Sequence, residues 1–302
     1  MPRRKNNTIP LLVTLDLEIA PDHDLAEQKN ILHTLNVDFK RLGLPITVFC
    51  TAEAAGVFNQ EIRMLKTAEH EIACHGVSHG AGADFGKLSM HDCRDAIADS
   101  TACLREASGA PPRCFRGPGM TTSSITQRVL VEHGYEADFS VCSQRIDILN
   151  SRGGCLGWLT APRRPYHPSE DSPFRKGNVP LLVVPLSCLG VPFLSGLLYL
   201  WGAGSTKAFF EILLEEARWS RKPIVYLFHS YEFSAYRGTA RTAEGKDAAT
   251  AAIKRKLLHR LYLRDRERRY EMTRVLFEHM LSKAQIKPMT GQEYVRFFHD
   301  FA

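Results

Sequence analysis

Two histidines four positions apart follow a short apolar run and could bind a metal ion. The run is Glu71–Cys74, and the histidines are His75 and His79. Histidine is the commonest protein ligand for zinc and related divalent ions. A His-x-x-x-His pair at the end of a strand can direct both rings at one ion. With twelve histidines in the chain, such a spacing also arises by chance, so a structural role stays open for the pair alone.

Two carboxylates, Asp16 and Glu18, stand at the end of another apolar run, Ile9 to Leu15. Side chains two positions apart on a strand project from the same face of the sheet, so this pair predicts two carboxylates that point the same way. Carboxylates can bind a cation or accept a proton. A helix-capping pair or a solvated strand end is the alternative interpretation.

These residues belong to elements that alternate between strand and helix along most of the chain. The pattern predicts strands at 9–15, 46–50, 71–74, 113–115, 137–141, 181–185 and 224–228. It predicts helices at about 24–42, 90–104, 124–133, 207–219 and 292–301, and helical sequence that follows the second strand through 68. Such alternation is typical of parallel strands with helical crossovers, hence of a β/α barrel or a doubly wound sheet.

Polar residues cluster at the carboxyl ends of the predicted strands, where a β/α barrel forms its active site. They are Asp16, Glu18, His75, His79, Arg116, Asp138 and His229. Seven such placements favour one shared site and a distorted barrel of about seven parallel strands.

Composition limits the classes of protein that remain. The chain has 302 residues, 44% of them hydrophobic, which is enough for one large α/β domain over residues 1–302. Its motif-bearing core would span 9–232 and a helical C-terminal extension 246–302. The formal charge of +6 matches that of Lys254–Arg269 alone, so the basic residues form one patch and a nucleic-acid partner is not expected.

The eight cysteines contain no Cys-x-x-Cys pair, which is typical of reduced, buried thiols.

Acidic residues interrupt the apolar run after Met1–Lys5, and no small-residue cleavage site follows. We therefore expect no signal peptide and a cytoplasmic location, with peripheral contact at the inner face of a membrane as an extension of that expectation.

Five segments together resemble the ordered motifs of the polysaccharide deacetylases, carbohydrate esterase family four. They are Thr14–Glu18, His75–His79, Arg116–Gly119, Asp138–Ser140 and Leu227–His229. The segments Val184–Ser187, Gly190–Phe193 and Tyr226–Glu232 further resemble the subgroup of exopolysaccharide and lipopolysaccharide gene clusters. The resemblance implies a distorted (β/α) barrel that removes N-acyl groups from amino sugars with the help of a metal ion.

The resemblance implies Glu18, His75 and His79 as ligands of one divalent ion. Two imidazoles and one carboxylate leave a coordination position open, as catalytic sites require. Zinc is the default for these ligand types, while cobalt, nickel or manganese also fit.

It further implies Asp16 as general base, Arg116 as the arginine that orients it, and His229 as general acid. Asp138 is expected to orient or charge the imidazole of His229. Leu227 is expected to line the acyl pocket.

Gly117 and Pro118 are expected at the substrate, where a backbone N–H near Arg116 would stabilise the oxyanion. Taken singly, this segment could be an ordinary turn and His229 a core histidine. The chain also departs from the family pattern, since Leu17 separates the two carboxylates and Gly76 replaces a hydroxyl residue.

The substrate is expected to be an amino-sugar glycan or a lipid-linked sugar. Residues 178–206 lack charged side chains and predict a buried strand with its loop, or an apolar lip that touches lipid. A basic helix over 253–269 would add a second membrane signal. Removal of formyl instead of acetyl, or glycan binding without turnover, are the alternative functions.

Overall fold

The computed structural model describes residues 8–20, 23–80, 83–145, 156–235 and 265–301. The strands in chain order are β1 (Ile9–Leu17), β2 (Ile46–Cys50), β3 (Glu71–Cys74), β4 (Cys114–Phe115), β5 (Ala137–Asp138), β6 (Pro168–Ser169), β7 (Ser172–Lys176), β8 (Leu182–Val183), β9 (Cys188–Leu189), β10 (Val191–Pro192), β11 (Ile224–His229) and β12 (Ile286–Pro288). The α-helices are α1 (Leu25–Leu42), α2 (Ala52–Val57), α3 (Asn59–Thr67), α4 (Met90–Ser108), α5 (Ser124–Glu132), α6 (Leu156–Thr160), α7 (Ser195–Ser220), α8 (Arg266–Leu281) and α9 (Gly291–Phe301). Two 3-10 turns, Pro118–Met120 and Ser230–Phe233, follow β4 and β11.

One curved parallel sheet organises the fold. Its strands lie in the order β11-β1-β2-β3-β4-β5-β8, and β12 adds a further parallel pairing to β1. The helices surround the seven strands, which confirms the predicted distorted (β/α) barrel.

The gap between β8 and β11 is bridged by the chain that follows β8. The hydroxyl of Ser187 accepts a hydrogen bond from the Val225 N–H at 2.9 Å. Farther along, Leu194 forms an isolated parallel bridge with Leu227. Among the described residues, side-chain and backbone contacts of residues 187–194 thus connect the chain after β8 to β11.

The period-two alternation of each strand separates an inner face from a face that packs on the helices. On β1, Leu11, Val13 and Leu15 join the cluster that contains the core residues of α1 and α3. Leu12 belongs to a second cluster inside the barrel with Phe49, Ala73, Cys114 and Leu227. Asp16 therefore shares the inner face with Leu12.

Local sequence accounts for the ends of the first elements. The Asp24 side chain accepts a hydrogen bond from the N–H of Glu27 and caps α1, which ends where Gly43 adopts φ 59°. Strands β2 and β3 have the predicted bounds. A capping residue before a helix and a left-handed glycine after it are strong local signals. The bounds of α1 could therefore be predicted from the sequence.

Several elements differ from the sequence-based expectation. The helix expected up to Ala68 is two helices, since Phe58 interrupts it between α2 and α3. Strands β4, β5 and β8 are only two residues long. The helical segment α7 begins at Ser195, not near Lys207, and is broken at Gly202, where φ is 82°. Buried Leu197 and Leu198 pack its first turns on the core.

Several expectations concern residues outside the described ranges. Most of the predicted basic segment 253–269 and of the C-terminal extension 246–302 before α8 falls there, as does Cys155. Seven cysteines are described; none of them forms a disulfide, and all except Cys103 are buried. Among the described helices, none has the length and apolar character needed to cross a membrane.

Candidate active site and metal centre

Three of the predicted ligands converge at the carboxyl end of the barrel. One ligand atom from each of Glu18, His75 and His79 lies within 4.8 Å of the others. The Glu18 carboxylate oxygen is 3.0 Å from Nε2 of His79. Two donors of a single zinc ion, each about 2.1 Å from it, are at most about 4.2 Å apart, so small side-chain rotations would place all three on one ion.

The hydrogen bonding of His75 fits a role as ligand. Its Nδ1 lies 2.7 Å from the carbonyl oxygen of Arg116, and because a carbonyl can only accept, Nδ1 carries the proton. The deprotonated Nε2 is buried and has no hydrogen-bond partner among the described residues. A histidine fixed in this way offers Nε2 to a cation, and the donor set as a whole fits a divalent ion.

Glycine at position 76 is required by the turn that joins the two histidines. Its φ is +72°, and an added Cβ would lie 2.8 Å from the Phe85 ring. The absence of a hydroxyl residue at this position therefore follows from the local backbone and packing.

Asp16 lies beside the ligands and is held by Arg116. Nη1 of Arg116 donates to the Asp16 carboxylate at 2.6 Å, and the guanidinium stacks over the Phe49 ring at 4.2 Å. Burial alone would raise the pKa of Asp16, but the charge of Arg116, its hydrogen bond and the charge of His229 outweigh that effect and lower the pKa. Asp16 is thus oriented and ionised, as the sequence resemblance implied for a base.

The turn after Arg116 packs next to the histidine turn but does not offer the expected N–H donors. The N–H of Arg116 donates to the carbonyl of Cys74 at 2.9 Å, and that of Gly117 donates to Ser140 Oγ at 2.8 Å. Pro118 has no N–H. Substrate contact by Gly117 and Pro118 stays a prediction, and their oxyanion role loses its simplest geometric support.

The predicted pairing of Asp138 with His229 is wrong. Asp138 accepts hydrogen bonds from Thr122 Oγ1 at 2.9 Å, Ser140 N at 2.9 Å and Gln127 Nε2 at 3.4 Å. Its neighbours Ala137 and Phe139 face the barrel interior, so strand alternation turns Asp138 toward α5. Burial raises the pKa of this carboxyl.

Glu232 takes the place at His229 that was expected for Asp138. Nδ1 of His229 lies 3.0 Å from the Glu232 carboxylate, and Asp16 is the strand partner of His229 across β1 and β11. Sequence reasoning missed Glu232, although the His229-x-x-Glu232 spacing was a local signal. The third residue after a strand can fold back through a tight turn, here the 3-10 turn Ser230–Phe233.

Two further side chains lie beside His229. Leu227 is two positions earlier on β11, shares its inner face and is buried. The Tyr231 ring has its centroid 5.0 Å from that of His229. An apolar floor and an aromatic ring thus border the site.

The model of the polysaccharide deacetylase family matches residues 24–137. A peptidoglycan deacetylase from Helicobacter pylori is 27% identical over 103 residues, which are 34% of this chain and 34% of that relative. The chain therefore matches only about a third of the length of this relative.

Solved structures extend the similarity to nearly the whole chain. A structure from Mycobacterium smegmatis assigned to the polysaccharide deacetylases has a TM-score of 0.63 at 14% identity, covering 99% of this chain and 93% of the other. One from Pseudomonas aeruginosa with the same assignment gives 0.59 at 18% identity, covering 97% and 91%. At these identities the structures show a common fold.

Proposed function

We propose that the chain is a metal-dependent carbohydrate N-deacetylase, and the match of the polysaccharide deacetylase family model to residues 24–137 supports this proposal. Its substrate would be an amino sugar of a bacterial cell-surface polysaccharide or of its lipid-linked precursor. The observation that carries the proposal is the convergence of Glu18, His75 and His79 within 4.8 Å, beside the oriented carboxylate of Asp16. The peptidoglycan deacetylase relative supports an N-acylated amino sugar as the substrate class.

Glu18, His75 and His79 would hold the ion, with zinc favoured by the ligand types. A bound divalent ion would lower the pKa of a water molecule and polarise the acyl carbonyl. The buried Nε2 of His75, which has no hydrogen-bond partner among the described residues and lies 3.7 Å from Oδ2 of Asp16, supports this assignment.

Asp16 acts as general base in the proposed reaction. Its carboxylate takes a proton from the attacking water while the water oxygen bonds to the acyl carbon. Arg116 keeps the carboxylate ionised and fixes one oxygen at 2.6 Å, which leaves the second oxygen for the water. General base catalysis of this kind accelerates reactions by about 10²–10⁴-fold.

His229 acts as general acid on the other side of the scissile bond. It donates a proton to the amide nitrogen as the C–N bond breaks, so that the products are a carboxylic acid and an amine. Burial would lower the pKa of His229, but the hydrogen bond and charge of Glu232 together with the charge of Asp16 raise it to about 9. The imidazole is therefore protonated at neutral pH.

Tyr231 would contact the sugar ring. Its aromatic face stands next to His229, and the C–H face of a pyranose packs well on an aromatic ring because both surfaces are apolar. Leu227 would limit the acyl group to a small one.

A lipid-linked substrate and peripheral membrane contact stay part of the proposal. Leu200 and Trp201 are 42% and 47% exposed, and both follow the start of α7, whose Ser195 contacts Glu232. Exposed apolar side chains near a site can insert at a lipid interface. Sedimentation with anionic vesicles at low salt supports the contact, and complete recovery in the supernatant contradicts it.

The test is the release of acid from N-acetyl and N-formyl amino-sugar substrates by the metal-loaded protein. Acetate release by the wild type, reduced about 10³-fold in Asp16→Asn and in His229→Ala, is the expected result. Formate release alone identifies a deformylase.

Glycan binding without any release by the wild type identifies a binding protein and contradicts the proposal. Turnover that is equal in the wild type and both variants contradicts the assigned roles. His91→Ala is the matched control and should keep full activity, because His91 is an exposed histidine on α4 that pairs with Asp95.

A further inference from the structure

The Glu232 carboxylate is held more tightly than a residue of a surface turn would be. Oε1 accepts hydrogen bonds from Ser195 Oγ at 2.6 Å and from His229 at 3.0 Å. Oε2 accepts one from the Tyr199 hydroxyl at 3.1 Å. Both oxygens of the buried group are therefore occupied, and two of the three donors belong to the first turns of α7.

The turn that carries Glu232 is also fixed through its backbone. Nε of Arg269, a buried arginine of α8, donates to the carbonyl oxygen of Glu232 at 2.6 Å. Helices α7 and α8 pack against each other and against this turn. The position of the carboxylate is thus set by three elements that lie outside the matched 24–137 segment.

This arrangement determines which nitrogen of His229 is available. A carboxylate can only accept, so Nδ1 of His229 carries a proton that points at Glu232. Nε2 is left for the substrate. An imidazole without that acceptor could change tautomer or rotate, and either change would misplace the proton needed by the leaving nitrogen.

The charged groups around His229 come from both sides of the site. Glu232 lies on its own turn, Asp16 lies on β1 with Glu18 directly after it, and the titratable imidazole of His75 lies directly after β3. An ion held by Glu18 and His75 would offset part of the negative charge on that side. The contact with Glu232 would remain, since it is a direct hydrogen bond.

We propose that Glu232 is the positioning residue of the general acid, in the place that the sequence resemblance assigned to Asp138. Its carboxylate orients His229 with Nε2–H toward the leaving amine and stabilises the imidazolium before transfer. Ser195 and Tyr199 keep the carboxylate in place. This inference rests on the proposed deacetylase function.

A purely structural role is the competing explanation, since Glu232 joins three elements. Glu232→Gln keeps the size of the side chain and a carbonyl acceptor but removes the charge. Ser195→Ala removes one hydrogen bond to the carboxylate and leaves its charge. Glu216→Gln is the matched control. Glu216 is a partly buried carboxylate near the end of α7, and it pairs with Arg163 and Lys222.

The experiment measures kcat, KM and their pH dependence in the zinc-loaded wild type and the three variants, together with zinc content and thermal unfolding. For Glu232→Gln we expect kcat to fall about 10- to 100-fold with KM and zinc content unchanged. The alkaline limb of the profile should move to lower pH. Ser195→Ala should show a smaller shift in the same direction, and Glu216→Gln none.

Titration of the His229 imidazole by NMR separates failure of this inference from failure of the proposed function. A lower His229 pKa in Glu232→Gln supports the positioning role even if the wild type proves inactive on every sugar tried. An unchanged His229 pKa overturns it. A fall in kcat that merely follows loss of folded protein, with an unmoved pH profile, also overturns it.

Discussion

Asp138 and Glu232 are both buried carboxylates next to the carboxyl ends of parallel strands, yet they occupy opposite sides of the sheet. Asp138 lies between two residues that face the barrel interior and turns toward α5. Glu232 lies on a turn beyond β11, which brings it back to the inner side and to His229. Proximity to a strand end was thus not enough to place a carboxylate in the site.

The two carboxylates differ in whether their partners are near or distant in sequence. Asp138 sits in a closed set of donors from Thr122, Gln127 and Ser140, and Ser140 in turn accepts from Gly117. It supports the turn next to the ligands without reaching the reacting groups. Glu232 connects the distant helices α7 and α8 to the acid.

The ion site contains neither Asp138 nor Glu232. Loss of one of its ligands is expected to have the largest effect on activity. Removing one ligand in His75→Ala should lower kcat/KM by at least about 10³-fold and abolish stoichiometric zinc binding. Zinc titration and acid release check it. Activity within tenfold of the wild type would show that His75 is not a ligand in the working enzyme.

The pH profile sharpens the contrast between the two carboxylates. His229 must be protonated to act as an acid, and its pKa is raised to about 9 by Glu232 and Asp16 against the effect of burial. Activity of the wild type should therefore fall as the pH rises through about 9. In Asp138→Ala the position of this limb should stay the same, because Asp138 does not contact His229.

Measured rates of acid release between pH 6 and about 10.5 locate the limb, with a buffer series at constant ionic strength. A limb that moves in Asp138→Ala as far as in Glu232→Gln would remove the distinction between the two residues.

For the free energy of unfolding we expect the reverse of the result for the pH profile, because here the substitution of Asp138 has the effect. Asp138→Ala leaves three buried donors without their acceptor, which costs about 1–3 kcal/mol of unfolding free energy. Chemical denaturation at neutral pH measures the change. Thr122→Val, which removes one of these donors, serves as the milder comparison. An unfolding free energy equal to that of the wild type would mean that water replaces the carboxylate at no cost.

Tyr231 gives the smallest expected effect and tests whether the acid side also binds sugar. Tyr231→Ala should raise KM about three- to tenfold, since stacking on an aromatic face contributes about 0.5–1.5 kcal/mol, while kcat changes little. Tyr231→Phe keeps the ring and should behave as the wild type. A loss of kcat without a change of KM would instead place Tyr231 in the support of His229.

Much of the fold and the ligand side of the site could be predicted because their signals are short in sequence. β1, β2 and β3 are largely apolar runs, and β1 and β3 lead directly into polar residues that form the site. Asp16 and Glu18 share a face by strand alternation alone. The spacing of His75 and His79 is likewise local.

The acid side was less predictable because tertiary packing decides it. The first turns of α7 fall in the uncharged segment that was predicted to be a buried strand with its loop, or an apolar lip, but buried Leu197 and Leu198 pack these turns on the core. The same alternation that placed Asp16 could have warned against Asp138, since Ala137, Phe139 and Val141 form the apolar face of that segment. Glu232 was adjacent to a quoted motif, but only the tight turn brings it to His229.

The most direct test of the account is calorimetric zinc titration of the apoprotein and its variants. We expect one ion per chain in the wild type, in Asp16→Asn and in Glu232→Gln, and none bound stoichiometrically in Glu18→Gln, His75→Ala or His79→Ala. That result would separate the residues that hold the ion from those that move protons. Undiminished binding of one ion in all three ligand variants would contradict the account, since the metal would then be held elsewhere.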